Sequence, residues 1–275
     1  MKTRIGIGLA LLVGLLSILW ADHRVGSDLG FTFLLCLAVG LGLHEFYTMY
    51  EKQAGPMPKR LAVFLGLGLT VSSWILRHSG GAEWVPAMLC LALFVLATVY
   101  TVQAHPENAL QVIVLGFGLV YVWLPMDFLA RLRDVETHGE ALVLYLVVTS
   151  KLNDAGAYFT GKAIGKRKLS PNVSPGKTVE GSVGGLITGT ALGMGVWWAG
   201  LGEFISWPGA LFTTLAIGVA SQLGDLFESY FKRHTGHKDS GSLLPTFGGM
   251  LDMIDSFLLC GPLAYILMMA LGGRA

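Results

Sequence analysis

ALVLYLVVTSKLNDAGAYFTG, residues 141–161, begins as an apolar run and ends with Lys151, Asn153 and Asp154 inside a segment long enough to span a membrane. A bilayer core is crossed by about 20 apolar residues in a helix. An ionisable group buried at its centre costs at least about 2.5–3.5 kcal/mol on insertion scales. A helix that keeps two such groups is therefore expected to line a cavity, with a Lys151–Asp154 pair at i,i+3 spacing as the purely structural alternative.

The rest of the chain supplies the membrane around this segment. Of 275 residues, 53% are hydrophobic and 13% charged, where globular domains run about 25% charged. Mean hydropathy is +0.62. Apolar runs start near Ile5, Phe31, Leu61, Trp84, Leu110, Ala141, Val183, Trp207 and Ser256. These predict an all-α, polytopic integral membrane protein of about nine helices, with the Phe31 run short and Pro125 and Pro262 interrupting others. One integral membrane domain, 1–275, is expected, residues 1–140 giving N-terminal helices and 141–275 the catalytic region with its loops. Lys2 and Arg4 ahead of the first run also suit a secretory signal, but that run is long and no small-x-small site follows, so it is expected to be retained. Cys36, Cys90 and Cys260 fall in apolar runs and suggest packed thiols rather than disulfides or a zinc site.

Net charge is +1 and says nothing about partners; the placement of the basic residues says more. The N-terminal end and alternate connections carry Lys2, Arg4, Lys52, Lys59, Arg60, Lys162, Lys166, Arg167, Lys168, Lys177, Lys232, Arg233 and Lys238. The opposite connections have Arg24, Arg77, Arg131, Arg133 and Arg274. The positive-inside rule then puts the N-terminus and the basic loops in the cytoplasm, with Asp154, Asp225, Glu228, Asp239, Asp252 and Asp255 at or near that face. Asp127 and Glu140 fall near the other interface, where a solvated role is expected.

Asp225 and Glu228 are three apart, as are Asp252 and Asp255, so on helices each pair projects from one face. Oxygen donors without His or Cys at metal spacing favour Mg²⁺, which keeps waters and bridges to substrate phosphates. Gly176-Lys177-Thr178 looks like the end of a P-loop, but that loop needs a glycine five positions earlier and Pro171 stands there. Gly241, Gly248 and Gly249 break helices and can free backbone N–H groups for an anion. Gly181, Gly185, Gly189 and Gly193 repeat every fourth residue, a stripe that lets another helix approach closely.

SYFKRHTGHKDSGSLLPTFGGMLDMID, residues 229–255, keeps without a gap the spacing of the phosphatidate cytidylyltransferase (CDP-diacylglycerol synthase) signature, and NDAGAYFTGKAIGKRKLSPNVSPGKTVEG, residues 153–181, is similar to a second block of that family. The resemblance covers the C-terminal half well and the N-terminal half only as membrane spans. Phe247 stands where the family has His, and Met253 where it has Arg. The resemblance implies transfer of CMP from CTP to phosphatidic acid, giving CDP-diacylglycerol and pyrophosphate. It implies catalytic roles for Asp225, Lys238, Asp239, Asp252 and Asp255, and a metal site drawn from Asp225, Glu228, Asp239, Asp252 and Asp255 for Mg²⁺ with or without a second cation. Asp154, Ser174, Lys177, Thr178, Ser229, Lys232, Arg233, Gly248 and Gly249 would bind substrate, SPGKTVEG acting as a phosphate-contacting loop without being a P-loop. Expected partners are CTP, phosphatidic acid, membrane lipids and a second copy of the chain, with no nucleic acid, and the expected location is a bacterial-type inner membrane.

Two rivals fit less well. The CDP-alcohol phosphatidyltransferase signature opens with Asp-Gly and ends with acidic residues four apart; no such opening is found and Asp252 and Asp255 are one residue too close. A transporter using Lys151 and Asp154 as an ion relay would be supported by an inverted repeat, and none is seen.

Overall fold

A computed structural model describes residues 2–103, 109–243 and 248–272. Each of the nine apolar runs folds as helix: α1 (Lys2–Val25), α2 (Leu29–Ala54), α3 (Lys59–His78), α4 (Val85–Gln103), α5 (Ala109–Gly118) continuing through a π-helical turn into α6 (Leu124–Arg133), α7 (Gly139–Ile164), α8 (Val179–Gly200), α9 (Trp207–His234), and α10 (Met250–Ile254) followed by α11 (Phe257–Leu271). Between α7 and α8 lies an antiparallel hairpin, β1 (Lys168–Ser170) and β2 (Ser174–Thr178), with Lys168 opposite Thr178 and Ser170 opposite Ser174.

Among the described residues, six helical segments are long and apolar enough to cross a membrane: Gly6–Val25, Leu29–Ala54, Lys59–His78, Leu110–Arg133, Trp207–His234 and Met250–Leu271. Ala82–Thr98 is apolar but shorter. Helices α7 and α8 have 26 and 22 residues, the length of a span, with polar residues and glycines diluting their apolar character. Phe64 and Trp198 stay 73% and 83% exposed, which suits lipid as the outer solvent. The chain is thus an all-α polytopic membrane protein.

Three local expectations change. The Phe31 run is not short, because α2 continues past Glu45 to Ala54 for 26 residues, and the Glu45 carboxylate finds protein donors there. Pro125 does not end its helix. It lacks an N–H, and the chain accommodates it by widening into a π-helical turn over Leu119–Trp123 just ahead of it. Pro262 sits inside α11, which continues to Leu271.

Two compact units emerge, each with its own interior: residues 1–130 with 239–253, and residues 131–238 with 254–275. In the first, α2 packs on α1, α3 and α5 around fully buried Leu43, Phe46, Tyr47, Leu115, Leu119 and Trp123. Tyr47 donates its hydroxyl to the Leu115 carbonyl at 2.8 Å, and the missing side chain of Gly118 leaves room for that ring. Asp22 receives the backbone N–H groups of Gly30 and Phe31 at 3.0 and 2.8 Å, closing the start of α2. Asp127 is not solvated as expected: it is 6% exposed, pairs with Arg77 at 3.1 Å and accepts a hydrogen bond from Ser73. A charge that close to hydrocarbon needs a partner, and the sequence could not show that Arg77 meets it. Glu140, in the second unit, pairs with Arg133 at 2.9 Å.

The second unit is organised by the glycine stripe. The buried residues of α8 are Gly181, Gly185, Gly189 and Gly193, and they lie against α7. A Cβ at Gly181, Gly185 or Gly189 would come within 2.6–2.7 Å of the carbonyl oxygens of Ala157, Asn153 and Thr149. The expected close approach is present, backbone to backbone. It brings polar side chains of α7 within reach of α9: Tyr145 donates to the Ala210 carbonyl at 2.7 Å, Ser150 meets Ser221 at 2.9 Å, and Asn153 donates to the Gly218 carbonyl at 3.2 Å while accepting from Gln222 at 2.9 Å. Gln222 also donates to the Ser182 carbonyl at 2.9 Å, so α7, α8 and α9 share one polar seam.

Candidate functional site

In the second unit, residues distant in sequence assemble a cluster of lysines and carboxylates. The hairpin carries Lys177 to Asp225 of α9, with Nζ 2.7 Å from Oδ2. One turn on, the Ser229 hydroxyl lies 3.4 Å from Asp225 Oδ1. Lys151 of α7 donates to Ser256 Oγ at 2.7 Å and lies 3.8 Å from Asp154 and 3.9 Å from Asp255. Its ammonium also sits 4.6 Å from the centre of the Phe257 ring. The Lys151–Asp154 pair suggested by spacing therefore exists, but the same ammonium serves Asp255. Asp154 and Asp255 each feel the charge of Asp225, so three carboxylates and two ammoniums form one electrostatic group. Ser256 donates its backbone N–H to Asp255.

The hairpin's geometry explains why Lys177 arrives where it does. Thr178 is the N-cap of α8 and its hydroxyl oxygen accepts from the Gly181 N–H at 3.1 Å. Glu180 accepts from the backbone N–H groups of Lys166 and Arg167 at 3.0 and 3.1 Å and from Arg167 Nε at 3.1 Å. Arg233 of α9 donates to the Val173 carbonyl at 3.2 Å. The SPGKT strand is held at both ends, with Ser174 half-buried in it, and no P-loop is formed.

Other residues singled out in the sequence lie elsewhere. Glu228 is fully buried in α9 and pairs with Lys232 one turn later, so Asp225 and Glu228 serve different lysines although they share a helix. Lys238 and Asp239 are exposed. Asp252 and Asp255 do not share a helix face, because α10 stops at Ile254 and Asp255 lies in the break before α11. In the first unit, Asp252 Oδ2 receives Ser240 N at 2.8 Å, Ser240 Oγ at 2.8 Å and Gly249 N at 2.9 Å. Gly248 has φ +82°, a backbone conformation that favours glycine, and at Gly249 a side chain would collide with Glu45 and Ser240. The Gly249 N–H thus goes to a protein carboxylate. Phe247 and Arg274 lie outside the described residues; Met253 is in α10.

Sequence reasoning missed Glu45, Ser150, Ser221, Gln222 and Ser256. Glu45 was visible as a charge at the end of an apolar run, the signal that singled out Lys151 and Asp154. The serines and Gln222 carry no signal until their helices are packed.

Among the described residues, no three His, Cys, Asp or Glu side chains converge as a ready-made metal site. Mg²⁺ needs only one or two carboxylates when waters and substrate phosphates complete its shell, and the hard oxygen donors of Asp154, Asp225 and Asp255 suit that ion.

Fold and site together define a polytopic α-helical membrane protein with lysines and carboxylates gathered around a hairpin. The sequence matches the cytidylyltransferase family over residues 2–271, and the chain belongs to that family. It is 33% identical over 273 residues to a phosphatidate cytidylyltransferase of Bacillus subtilis, covering 98% of this chain and 97% of the relative. A phosphatidate cytidylyltransferase of Helicobacter pylori is 31% identical, covering 94% and 88% of the two chains, and one of Staphylococcus aureus is 36% identical, covering 70% and 73%.

Proposed function

We propose that this protein is a CTP:phosphatidate cytidylyltransferase, transferring CMP from CTP to phosphatidic acid to give CDP-diacylglycerol and pyrophosphate. The observation that carries the reading is the Lys177–Asp225 contact beside Lys151, Asp154 and Asp255, in a chain of the cytidylyltransferase family. A phosphate oxygen of phosphatidic acid forms a bond to the α-phosphorus of CTP while the bond to the oxygen bridging the β-phosphate breaks, and pyrophosphate leaves with that electron pair. Little covalent help is needed from protein in such a step; positioning and charge stabilisation carry it. Lys177 meets the triphosphate and Lys151 holds Asp255 and Ser256 in place. Ser229 and Ser174 offer hydroxyl donors. Bound through Asp225 and Asp255, Mg²⁺ would neutralise phosphate charge as a Lewis acid.

The same reading takes all nine helical runs as spans, since α7 and α8 have the necessary length. The distribution of lysine and arginine favours a cytoplasmic N-terminus and hairpin, in a bacterial-type inner membrane. Purified protein in detergent, given labelled CTP, phosphatidic acid and Mg²⁺, is expected to form a CDP-lipid. No product with any divalent cation would overturn the proposal. Reporter fusions that put residues 162–177 outside the cytoplasm would overturn the topology.

A further inference from the structure

Two serines lie one helical turn behind carboxylates of the cluster. Ser150 precedes Asp154 by four residues on α7, and Ser221 precedes Asp225 by four on α9, spacings that put each serine on the face of its carboxylate. Both serines are fully buried, and their hydroxyl oxygens are 2.9 Å apart. The Ser221 hydroxyl also hydrogen-bonds the Asp154 carboxylate, and Ser150 hydrogen-bonds the Cys260 thiol of α11. A carboxylate only accepts, and each hydroxyl has one hydrogen. Ser221 therefore gives its hydrogen to Asp154 and accepts from Ser150, whose oxygen is left to accept from the thiol. All three bonds point toward Asp154.

We propose that Ser221 is a positioning residue for the cytidylyl-transfer reaction, holding the Asp154 carboxylate in one orientation beside Lys151 and Asp225. This rests on the function proposed above. Asp154 is attracted by Lys151 and Lys177 and repelled by Asp225, and Lys151 is shared with Asp255, so ionic contacts alone do not fix its orientation. A neutral donor secures one oxygen without adding a charge, which leaves Lys151 to Asp255 and Lys177 to Asp225 and phosphate. A serine pair that only joined α7 to α9 would need both hydroxyls equally. Orienting Asp154 needs that of Ser221.

The test compares Ser221→Ala, Ser150→Ala and Ser221→Cys with the unaltered full chain in detergent, by initial rates with CTP, phosphatidic acid and Mg²⁺ and by thermal midpoint. Either alanine removes the contact between the two hydroxyls, so both should lower the midpoint. Ser221→Ala is expected to lower kcat at least about tenfold with KM for CTP within about threefold, whereas Ser150→Ala, which leaves the Ser221 hydroxyl in place, should keep kcat within about threefold. A thiol is a weaker donor, so Ser221→Cys should fall between the unaltered chain and Ser221→Ala. Equal kcat in the two alanine variants overturns the proposal. Asp154→Ala supplies a second measurement: if Ser221 serves Asp154, its combination with Ser221→Ala should lose less in midpoint than the two single losses added together, and additive losses would refute the contact. Should Ser221→Ala not fold, Ser221→Cys takes its place: kcat below that of Ser150→Ala supports the proposal, and equal kcat overturns it. If the unaltered protein forms no CDP-lipid, the function reading fails and the role in transfer goes with it, whereas equal variants or additive midpoints in an active protein refute the positioning role alone.

Discussion

Substituting Gly189 by alanine would drive a methyl group into the α7–α8 contact. The new Cβ would sit 2.7 Å from the Thr149 carbonyl oxygen and 2.8 Å from Asn153 Cβ, where carbon atoms prefer separations of about 3.5–4.0 Å. Most of what it meets is helix backbone or the atom next to it, so no side chain can swing away. Helix α8 must back off by roughly 1 Å, an overpacking penalty of about 1–3 kcal/mol. That retreat also stretches the Gln222 to Ser182 hydrogen bond of 2.9 Å, a bond of about 0.5–1.5 kcal/mol. The sum is about 1.5–4.5 kcal/mol, or roughly 3–18 °C in thermal midpoint. At Gly195 of the same helix a methyl carbon would have no neighbour within 4 Å, so Gly195→Ala is the matched control and should be neutral or slightly stabilising by helix propensity. Thermal unfolding of both variants in the same detergent, followed by tryptophan fluorescence, measures the difference. Equal midpoints for the two would refute the argument that the stripe sets the α7–α8 distance.

Lys177→Ala should raise KM for CTP about tenfold while KM for phosphatidic acid moves less than about twofold; a rise confined to phosphatidic acid would reassign Lys177 to the lipid headgroup. Asp225→Asn preserves shape and removes a charge, so kcat should fall at least about a hundredfold with excess Mg²⁺ restoring part at most. Near-normal turnover would leave Asp225 as a structural partner of Lys177. Arg77→Ala strands the Asp127 charge among buried neighbours and should cost about 3–5 kcal/mol, seen as a lowered thermal midpoint. A further Asp127→Ala change should recover part of it, and an unchanged midpoint in the single variant would return the pair to the solvated class.

Among the described residues, hydropathy located each long apolar helix but not the short α10, because an apolar run of spanning length has few alternatives to a structure that satisfies its backbone internally. The four-residue glycine period likewise announced a close helix contact, since periodicity on one helix is a local property. Spacing served the carboxylates less well. Asp225 and Glu228 do share α9, but their lysines come from the hairpin and from the same helix respectively. The assumption of one continuous helix failed at Asp255, where the chain breaks between α10 and α11.

The residues 153–181 and 229–255 were enough, read as text, to place this chain among cytidylyltransferases, because motif spacing is written along the chain. Partners across the fold are not written that way. That Lys151 serves both Asp154 and Asp255, that Arg77 neutralises Asp127, and that Glu45 takes the first N–H groups of α10 follow from helix packing. Each joins groups brought close by side-chain volumes and glycine gaps, and a charge shows in sequence that it needs a partner without showing which one it has.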